Sequence, residues 1–199
     1  HGWGPYKFED FAVDQRYVIR KNPLWPEVRP EAPDVVVYRQ MREPEQRVTA
    51  LLNNEIQVAR LVPPQLVDRL KNRSDVKVVQ TGSVEIMFLA MSPAAKPWND
   101  PRIRRAAAHA INRDIIMQRL LLGYADPLNG PLGPNQFCYQ GDAKSAARYD
   151  LQKAKALLAE AGYANGGPEI EYYSSTGRYI SDRQVSEAIA QMLTQAGFK

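Results

Sequence analysis

Hydrophobic and polar residues alternate over the first part of the chain with the two-residue period of β-strands. The runs "YKFEDFAV" and "RYVIRKN" flank the short connector Asp14-Gln15, and this arrangement predicts an antiparallel hairpin. The later run "DVVVYRQ" is continuously β-branched, which is typical of a strand buried on both faces.

Helical periodicity follows these strands. Prolines favour helix starts at Pro44 and Pro64, and Asn54 suits the left-handed position that ends the first helix. The runs "IQVARL" and "VKVVQ" lie between and after the two helices and predict further strands. Alternation of strand and helix at these spacings indicates parallel β-α-β units in the first section of the chain.

The pattern becomes mostly helical after the strand-like run "SVEIMFLAM". Four helices follow, and their predicted first residues are Pro101, Arg113, Leu151 and Asp182. The last of them is preceded by Ser181, which forms a predicted capping box with Gln184. We therefore divide the chain into two sections, residues 1–82 and residues 83–199.

Two further features of the second section matter for packing and function. Leu151, Leu158 and Ile189 lie on the apolar stripes of their helices, so we expect them to be buried. Residues 124–147 form a Pro/Gly/Asn-rich stretch that is too long for an ordinary connection, which makes it a candidate functional loop.

Composition describes a folded chain without a membrane span. The 199 residues are 44% hydrophobic and 24% charged, and no run approaches about 20 uncharged apolar residues. The first residues do not resemble a signal peptide, so we expect either a cytoplasmic protein or a longer precursor that has been cut. Cys138 is the single cysteine, which excludes an internal disulfide.

The net charge of +4 raises the alternative of a basic nucleic-acid-binding domain. On a helix starting at Pro101, however, Arg102 and Arg105 share one flank with His109, while Arg104 points elsewhere. These side chains make no single stripe that a phosphate backbone would follow. A solvated face with local ion pairs, for instance to Asp114, is the favoured interpretation, and we expect no nucleic-acid partner.

Candidate catalytic groups are few. His109 and Cys138 suggest a thiol hydrolase as a second alternative, although neither lies in a local catalytic motif. Two histidines and one cysteine provide no metal-ligand cluster, and no nucleotide-binding or nucleophile-elbow motif implies a cofactor. The polar and aromatic stretch "EYYSSTGRY" fits either a ligand-contacting strand end or an ordinary strand and loop. The residues thus favour a binding protein over an enzyme.

Five segments occur in order along the chain: "GWGPYKFEDFAVDQRYVIRKNPLW", "RVTALLNNEIQVARLVPPQLVDRL", "PWNDPRIRRAAAHAINRDIIMQRLLLGYADPLNGPLGP", "YDLQKAKALLAEAGY" and "GRY". Together they resemble the peptide/nickel-type solute-binding proteins of ABC importers, also called extracellular solute-binding protein family 5. The resemblance is colinear over essentially the whole chain. Members of this family are more than twice as long, so the resemblance implies an internal fragment.

The resemblance implies an α/β fold, namely a fragment of the two-lobed periplasmic binding protein type II fold. Residues 1–82 then belong to lobe one and residues 83–199 to the N-terminal part of lobe two. The implied function is capture of a peptide or similar solute in the inter-lobe cleft and delivery to a membrane permease. The implied protein is a monomer, periplasmic or extracellular and lipid-anchored, without catalytic activity, metal or cofactor.

In this fold the cleft is lined by loops at the carboxyl ends of strands. The corresponding positions in this sequence are Arg60, Leu61, Gly82, Ser83, Arg178 and Tyr179. The guanidinium groups of Arg60 and Arg178 are suited to bidentate binding of a ligand carboxylate. Surface arginines without a ligand are the alternative interpretation of both residues.

Overall fold

The computed structural model describes residues 4–27, 29–139 and 147–199. The chain divides into two compact units, His1–Ala59 and Arg60–Lys199. The elements of the first unit are β1 (Tyr6–Ala12), β2 (Arg16–Lys21), β3 (Val35–Arg39) and α1 (Pro44–Leu52). The elements of the second unit are α2 (Pro64–Lys71), α3 (Pro101–Ala110), α4 (Arg113–Ile115), a π-helical turn (Ile116–Leu120), α5 (Leu151–Glu160) and α6 (Asp182–Ala196). The predicted lobe boundary at residue 82 concerns the complete fold and stays a prediction.

The first unit is built on a three-stranded antiparallel sheet in the order β1-β2-β3. The β1–β2 hairpin predicted around Asp14 is confirmed, and the Gln15 N–H closes its turn on the Ala12 carbonyl oxygen at 3.1 Å. A left-handed φ of 56° at Asp14 allows this short connection. A β-bulge between Phe8 and Asp10 shifts the register of β1.

The prediction of parallel β-α-β units in the first section is wrong for the described residues, because their sheet is entirely antiparallel. β3 was expected to be buried on both faces, yet it lies at an edge of the sheet. Its Val37 and Tyr38 side chains are 50% and 53% exposed. The β-branched run therefore identifies the strand correctly but not its surroundings.

Four further strand-like runs do not form strands within the described residues. They are the runs at residues 56–61, 76–80, 83–91 and 169–175. A strand requires hydrogen bonds from a neighbouring strand, and these runs form no ladder within the described residues. The beginning of one pairing does exist, since Ile170 N–H donates to the Lys199 carbonyl oxygen (2.8 Å) and Lys199 N–H to that of Pro168 (3.1 Å). This alternation is the hydrogen-bond pattern of parallel strands.

Local capping signals place the starts of α3 and α5 and the end of α6 as predicted. Asp100 Oδ1 accepts the Arg102 N–H at 2.8 Å ahead of α3, and Asp150 Oδ1 accepts the Lys153 N–H at 2.9 Å ahead of α5. α6 ends at Gly197 with a φ of 115°.

Two details of these helices differ from the prediction. The Ser181 side chain makes no capping hydrogen bond, so the expected box with Gln184 does not form. The helix predicted to begin at Arg113 has only three α-helical residues before its π-helical turn, and Leu122 follows that turn with a left-handed φ of 47°.

The core of the second unit lies between α3, α5 and α6. Its buried residues are Ile103, Ala106, Ala107, Ala110, Ala154, Leu158, Leu193, Ala196 and Phe198. The alanine-rich face of α3 allows close helix packing. The burial predicted for Leu158 is confirmed, whereas Leu151 and Ile189 are only half-buried at the margin of this core. No helix in the described ranges is both long and apolar enough to cross a membrane.

We expect Asp150→Ala to lower the free energy of unfolding by about 1 kcal/mol, because the first turn of α5 loses its capping acceptor. Urea titration of both proteins measures the difference. Asp150→Asn keeps a side-chain oxygen at the same position and serves as the matched control, with an expected change of less than about 0.5 kcal/mol. Equal losses in both variants would show that the cap does not stabilise this helix.

Candidate functional site

The predicted residues Arg178 and Tyr179 lie in the loop that precedes α6. The Arg178 guanidinium carbon is 5.0 Å from the centroid of the Tyr179 ring, within the range of a cation–π contact. Arg178 is exposed and Tyr179 is half-buried. The ring thus supports a guanidinium group that remains open to solvent.

A residue that the sequence did not single out organises this loop. Asp182, the first residue of α6, is only 4% exposed. Its Oδ1 accepts the N–H groups of Gly177 (3.0 Å) and Arg183 (2.9 Å), and its Oδ2 accepts Ser175 Oγ–H (2.9 Å), Arg178 N–H (2.9 Å) and Tyr179 N–H (3.1 Å). Five donors therefore surround one carboxylate.

Burial by itself raises the pKa of the Asp182 carboxyl, because a buried charge loses its hydration. The hydrogen bonds from the Gly177 and Tyr179 N–H groups, from the Ser175 hydroxyl and from the Arg178 N–H outweigh this effect. The net pKa lies below its usual value. The carboxylate is consequently ionised at neutral pH.

The predicted residues Gly82 and Ser83 are both exposed. Ser83 Oγ accepts the Glu85 N–H at 2.9 Å in a local turn. Gly82 is packed so closely against the Asn135 side chain that a Cβ at this position would collide with its amide. Asn135 belongs to the long loop that was predicted to be functional, so the structure places that loop beside Gly82.

The predicted residues Arg60 and Leu61 lie at the start of the second unit, shortly before α2. Arg60 is exposed, and Leu61 is half-buried with a left-handed φ of 54°. Positive φ is uncommon for a branched residue and marks a sharp change of chain direction. Of the six predicted residues, the structure brings Arg178 and Tyr179 into direct contact.

Arg113 holds the long loop through hydrogen bonds from its guanidinium group. Its Nη1 donates to the Leu128 carbonyl oxygen at 2.7 Å and to Asn129 Oδ1 at 3.3 Å, and its Nη2 donates to the Ala147 carbonyl oxygen at 3.4 Å. One guanidinium group thereby connects two separate parts of the loop. Residues 140–146 of the predicted functional loop lie outside the described residues.

Among the described residues, the second unit has two open surface depressions with volumes of about 370 and 220 Å³. The larger is lined by Lys96, Pro97, Tyr163, Gly167, Pro168, Glu169 and Lys199. The smaller is lined by Leu89, Met91, Ala108, Ile111, Arg113, Leu128, Asn129 and Ala147. None of the six predicted site residues lines either depression.

The two residues considered for a thiol hydrolase are His109 on α3 and Cys138 in the long loop. His109 Nδ1 lies 2.7 Å from the Arg148 carbonyl oxygen, which ties α3 to the segment before α5. Cys138 is an exposed loop residue with a φ of 67°. The hydrogen bond between thiol and imidazole that activates such a nucleophile does not occur in the described ranges.

Two of the three arginines of α3, Arg102 and Arg104, are engaged within the protein. Arg102 forms an ion pair with Asp100 at 2.6 Å and donates to the Glu160 carbonyl oxygen at 2.6 Å. Arg104 donates to the Trp98 carbonyl oxygen. The ion pair expected with Asp114 thus forms with the capping residue Asp100.

Among residues 4–27, 29–139 and 147–199, no group of three or more His, Cys, Asp or Glu side chains is placed to hold a metal ion.

Comparison with known proteins covers the whole chain. Residues 1–199 match the family "Bacterial extracellular solute-binding proteins, family 5 Middle". A putative ABC transporter peptide-binding protein of Brucella ovis is 32% identical, over 98% of this chain and 37% of its own length. The glutathione-binding protein GsiB of Pectobacterium atrosepticum is 29% identical, over 100% of this chain and 38% of its own length. The chain therefore spans a little more than a third of these curated relatives.

Comparison with solved structures agrees with this family match. The ABC transporter-associated periplasmic binding protein DppA from Helicobacter pylori, solved with the peptide STSA, superposes with a TM-score of 0.81 at 27% identity. The alignment covers 98% of this chain and 37% of that structure. The chain thus has the mixed helix-and-strand fold of part of a two-lobed periplasmic binding protein of type II. It belongs to family 5 of the bacterial extracellular solute-binding proteins.

Proposed function

We propose that this chain is part of the substrate-binding component of an ABC importer. It captures a peptide or similar small solute in the cleft between two lobes and delivers it to a membrane permease. Family membership over all 199 residues supports this function, as do the relatives described as peptide-binding and glutathione-binding proteins. The protein acts without catalysis or cofactor, as a periplasmic or lipid-anchored monomer that does not bind nucleic acid.

Among the individual residues, the Arg178–Tyr179 pair gives the proposal its main support. An arginine offers two parallel N–H donors to a carboxylate, and a peptide with a free C-terminus presents such a carboxylate. Arg178 is exposed, its backbone is fixed by Asp182, and its guanidinium group is supported by the Tyr179 ring. A cation held in this way loses little side-chain entropy when it binds an anionic group.

The remaining predicted residues complete the proposed cleft. Arg60 and Leu61 contribute from the segment before α2, and Gly82 and Ser83 from the segment where the chain passes between the lobes. The lobe boundary is proposed at residue 82. The left-handed backbone at Leu61 and the proximity of Gly82 to the Asn135 side chain support a role for these segments in shaping the cleft surface.

We expect Arg178→Ala to weaken binding of a carboxylate-bearing solute at least tenfold, which corresponds to about 1.4 kcal/mol. The complete gene product is titrated by calorimetry with two probes, the tetrapeptide Ser-Thr-Ser-Ala and glutathione, and at least one of them is expected to bind. The loss follows from removal of both guanidinium donors.

Arg105→Ala is the matched control, because it removes an exposed arginine from the scaffold helix α3. Its affinity is expected to stay within twofold of the wild type. Unchanged affinity in Arg178→Ala would remove Arg178 from the site. Failure of both probes and of a mixed tripeptide library to bind would contradict the proposed solute class.

A further inference from the structure

The loop before α6 is held by a single buried anion. Three successive backbone N–H groups, from Gly177 to Tyr179, converge on the Asp182 carboxylate. Successive N–H groups that point into one concavity commonly bind an anion. Here the anion is a side chain of the same protein, so the loop conformation depends on it.

The backbone of this loop needs such support. Gly177 has a φ of 77°, and Ser181 has a φ of 54° although it is not glycine. A left-handed conformation is unfavourable for a non-glycine residue, because its Cβ lies too close to the following carbonyl oxygen. The hydrogen bonds to Asp182 span the segment between these two residues and offset this cost.

The residues held in this way are the two proposed to meet the solute. The N–H groups of Arg178 and Tyr179 donate to the same oxygen, Oδ2, at 2.9 and 3.1 Å. Their backbone positions therefore fix the points from which the guanidinium group and its supporting ring extend. Asp182 itself is buried and has its acceptors occupied, so it is not placed to bind the solute directly.

We propose that Asp182 is a positioning residue, whose carboxylate holds the backbone of residues 177–179 so that Arg178, stacked on Tyr179, faces the carboxylate of the solute. This inference rests on the proposed function, because it assumes that Arg178 binds the solute. It goes further in assigning the orientation of Arg178 to a residue that does not touch the solute.

The test compares Ser-Thr-Ser-Ala with its C-terminal amide, using the complete gene product and calorimetry. In the wild type the free acid is expected to bind at least tenfold more tightly than the amide. Asp182→Asn keeps the size of the side chain but removes its charge and one acceptor. We expect this variant to lose about tenfold in affinity for the free acid and less than twofold for the amide.

Two further variants separate positioning from general destabilisation. Glu187→Gln makes the same chemical change at an exposed ion pair on α6, and its preference for the acid is expected to equal that of the wild type. Ser175→Ala removes one hydrogen-bond donor and leaves the carboxylate in place. The ratio of its affinities for the free acid and the amide is expected to fall about threefold. Ser175→Ala decides the outcome if Asp182→Asn does not fold.

Amide hydrogen exchange gives a readout that does not depend on the solute. Exchange at residues 177–179 is expected to accelerate at least tenfold in Asp182→Asn and to stay unchanged in Glu187→Gln. Wild-type protein that does not distinguish acid from amide would contradict the proposed function, whereas faster exchange would still establish how the loop is held. If Asp182→Asn and Ser175→Ala both bound the free acid more tightly than the amide by the same factor as the wild type, Asp182 would not be a positioning residue.

Discussion

Replacing Leu158 by alanine is expected to lower the free energy of unfolding of the second unit by about 2–5 kcal/mol. Leu158 lies on α5 in the core between α3, α5 and α6 and is only 2% exposed. Its neighbours in this core include several alanines of α3 and α5, whose short side chains cannot move to fill a cavity. The loss therefore combines the transfer free energy of the removed atoms with the cost of an unfilled cavity.

Urea titration followed by tryptophan fluorescence measures this loss, and Trp98, whose ring stacks on Phe198 at the same core, is a suitable reporter. Leu24→Ala is the control, because it makes the same chemical change at a side chain that is 87% exposed. Its expected effect is within about 0.5 kcal/mol. A similarly small effect of Leu158→Ala would mean that the core is not packed as described.

The helices of this chain were predictable because their signals are local. Asp100 and Asp150 cap the helices that directly follow them, and Gly197 ends α6 in the left-handed conformation. Each signal depends on residues fewer than five positions away. The hairpin around Asp14 was predictable for the same reason.

The strands were less predictable because a strand is defined by its partner. The run Val35–Arg39 places Val37 opposite Val18 and Val36 opposite Ile19, so both faces of β3 are apolar. Its sequence thus has the character of a fully buried strand although it lies at an edge. For the runs at 76–80 and 83–91, an apolar pattern likewise does not reveal whether the chain supplies hydrogen-bonding partners.

The candidate site likewise contains residues that were predictable from the sequence and one that was not. Arg178 and Tyr179 were predicted from the resemblance and from the polar and aromatic character of their stretch. Asp182 was missed, because an acidic residue in the first turn of a helix usually indicates a favourable interaction with the helix dipole. The left-handed Ser181 turns the chain so that this carboxylate faces back to the loop instead. A carboxylate shortly after a Ser-Thr-Gly turn was the available signal.

Replacing Gly167 by alanine is expected to destabilise the second unit by about 3 kcal/mol, because the added methyl group overpacks a buried site. Gly167 is buried, and its N–H donates to the Gly197 carbonyl oxygen at 2.5 Å. A Cβ at this position would collide with that oxygen and would lie 2.7 Å from the Gly197 carbonyl carbon and 3.0 Å from Phe198 N. Backbone atoms yield less readily than side chains, so the two segments must separate.

Separation of the segments around Gly167 and Gly197 is also expected to change amide hydrogen exchange, in addition to lowering stability. The hydrogen bonds that Ile170 and Lys199 form lie next to the collision. Amide exchange at both residues is therefore expected to accelerate by more than the global destabilisation requires. Gly130→Ala is the matched control, since no atom of the described residues beyond its two chain neighbours lies within 4 Å of the added Cβ, and its expected effect is below about 0.5 kcal/mol. If Gly167→Ala were equally harmless, residues 167–170 would not pack against the end of α6. The parallel pairing between Pro168–Ile170 and Lys199 would then have to be abandoned.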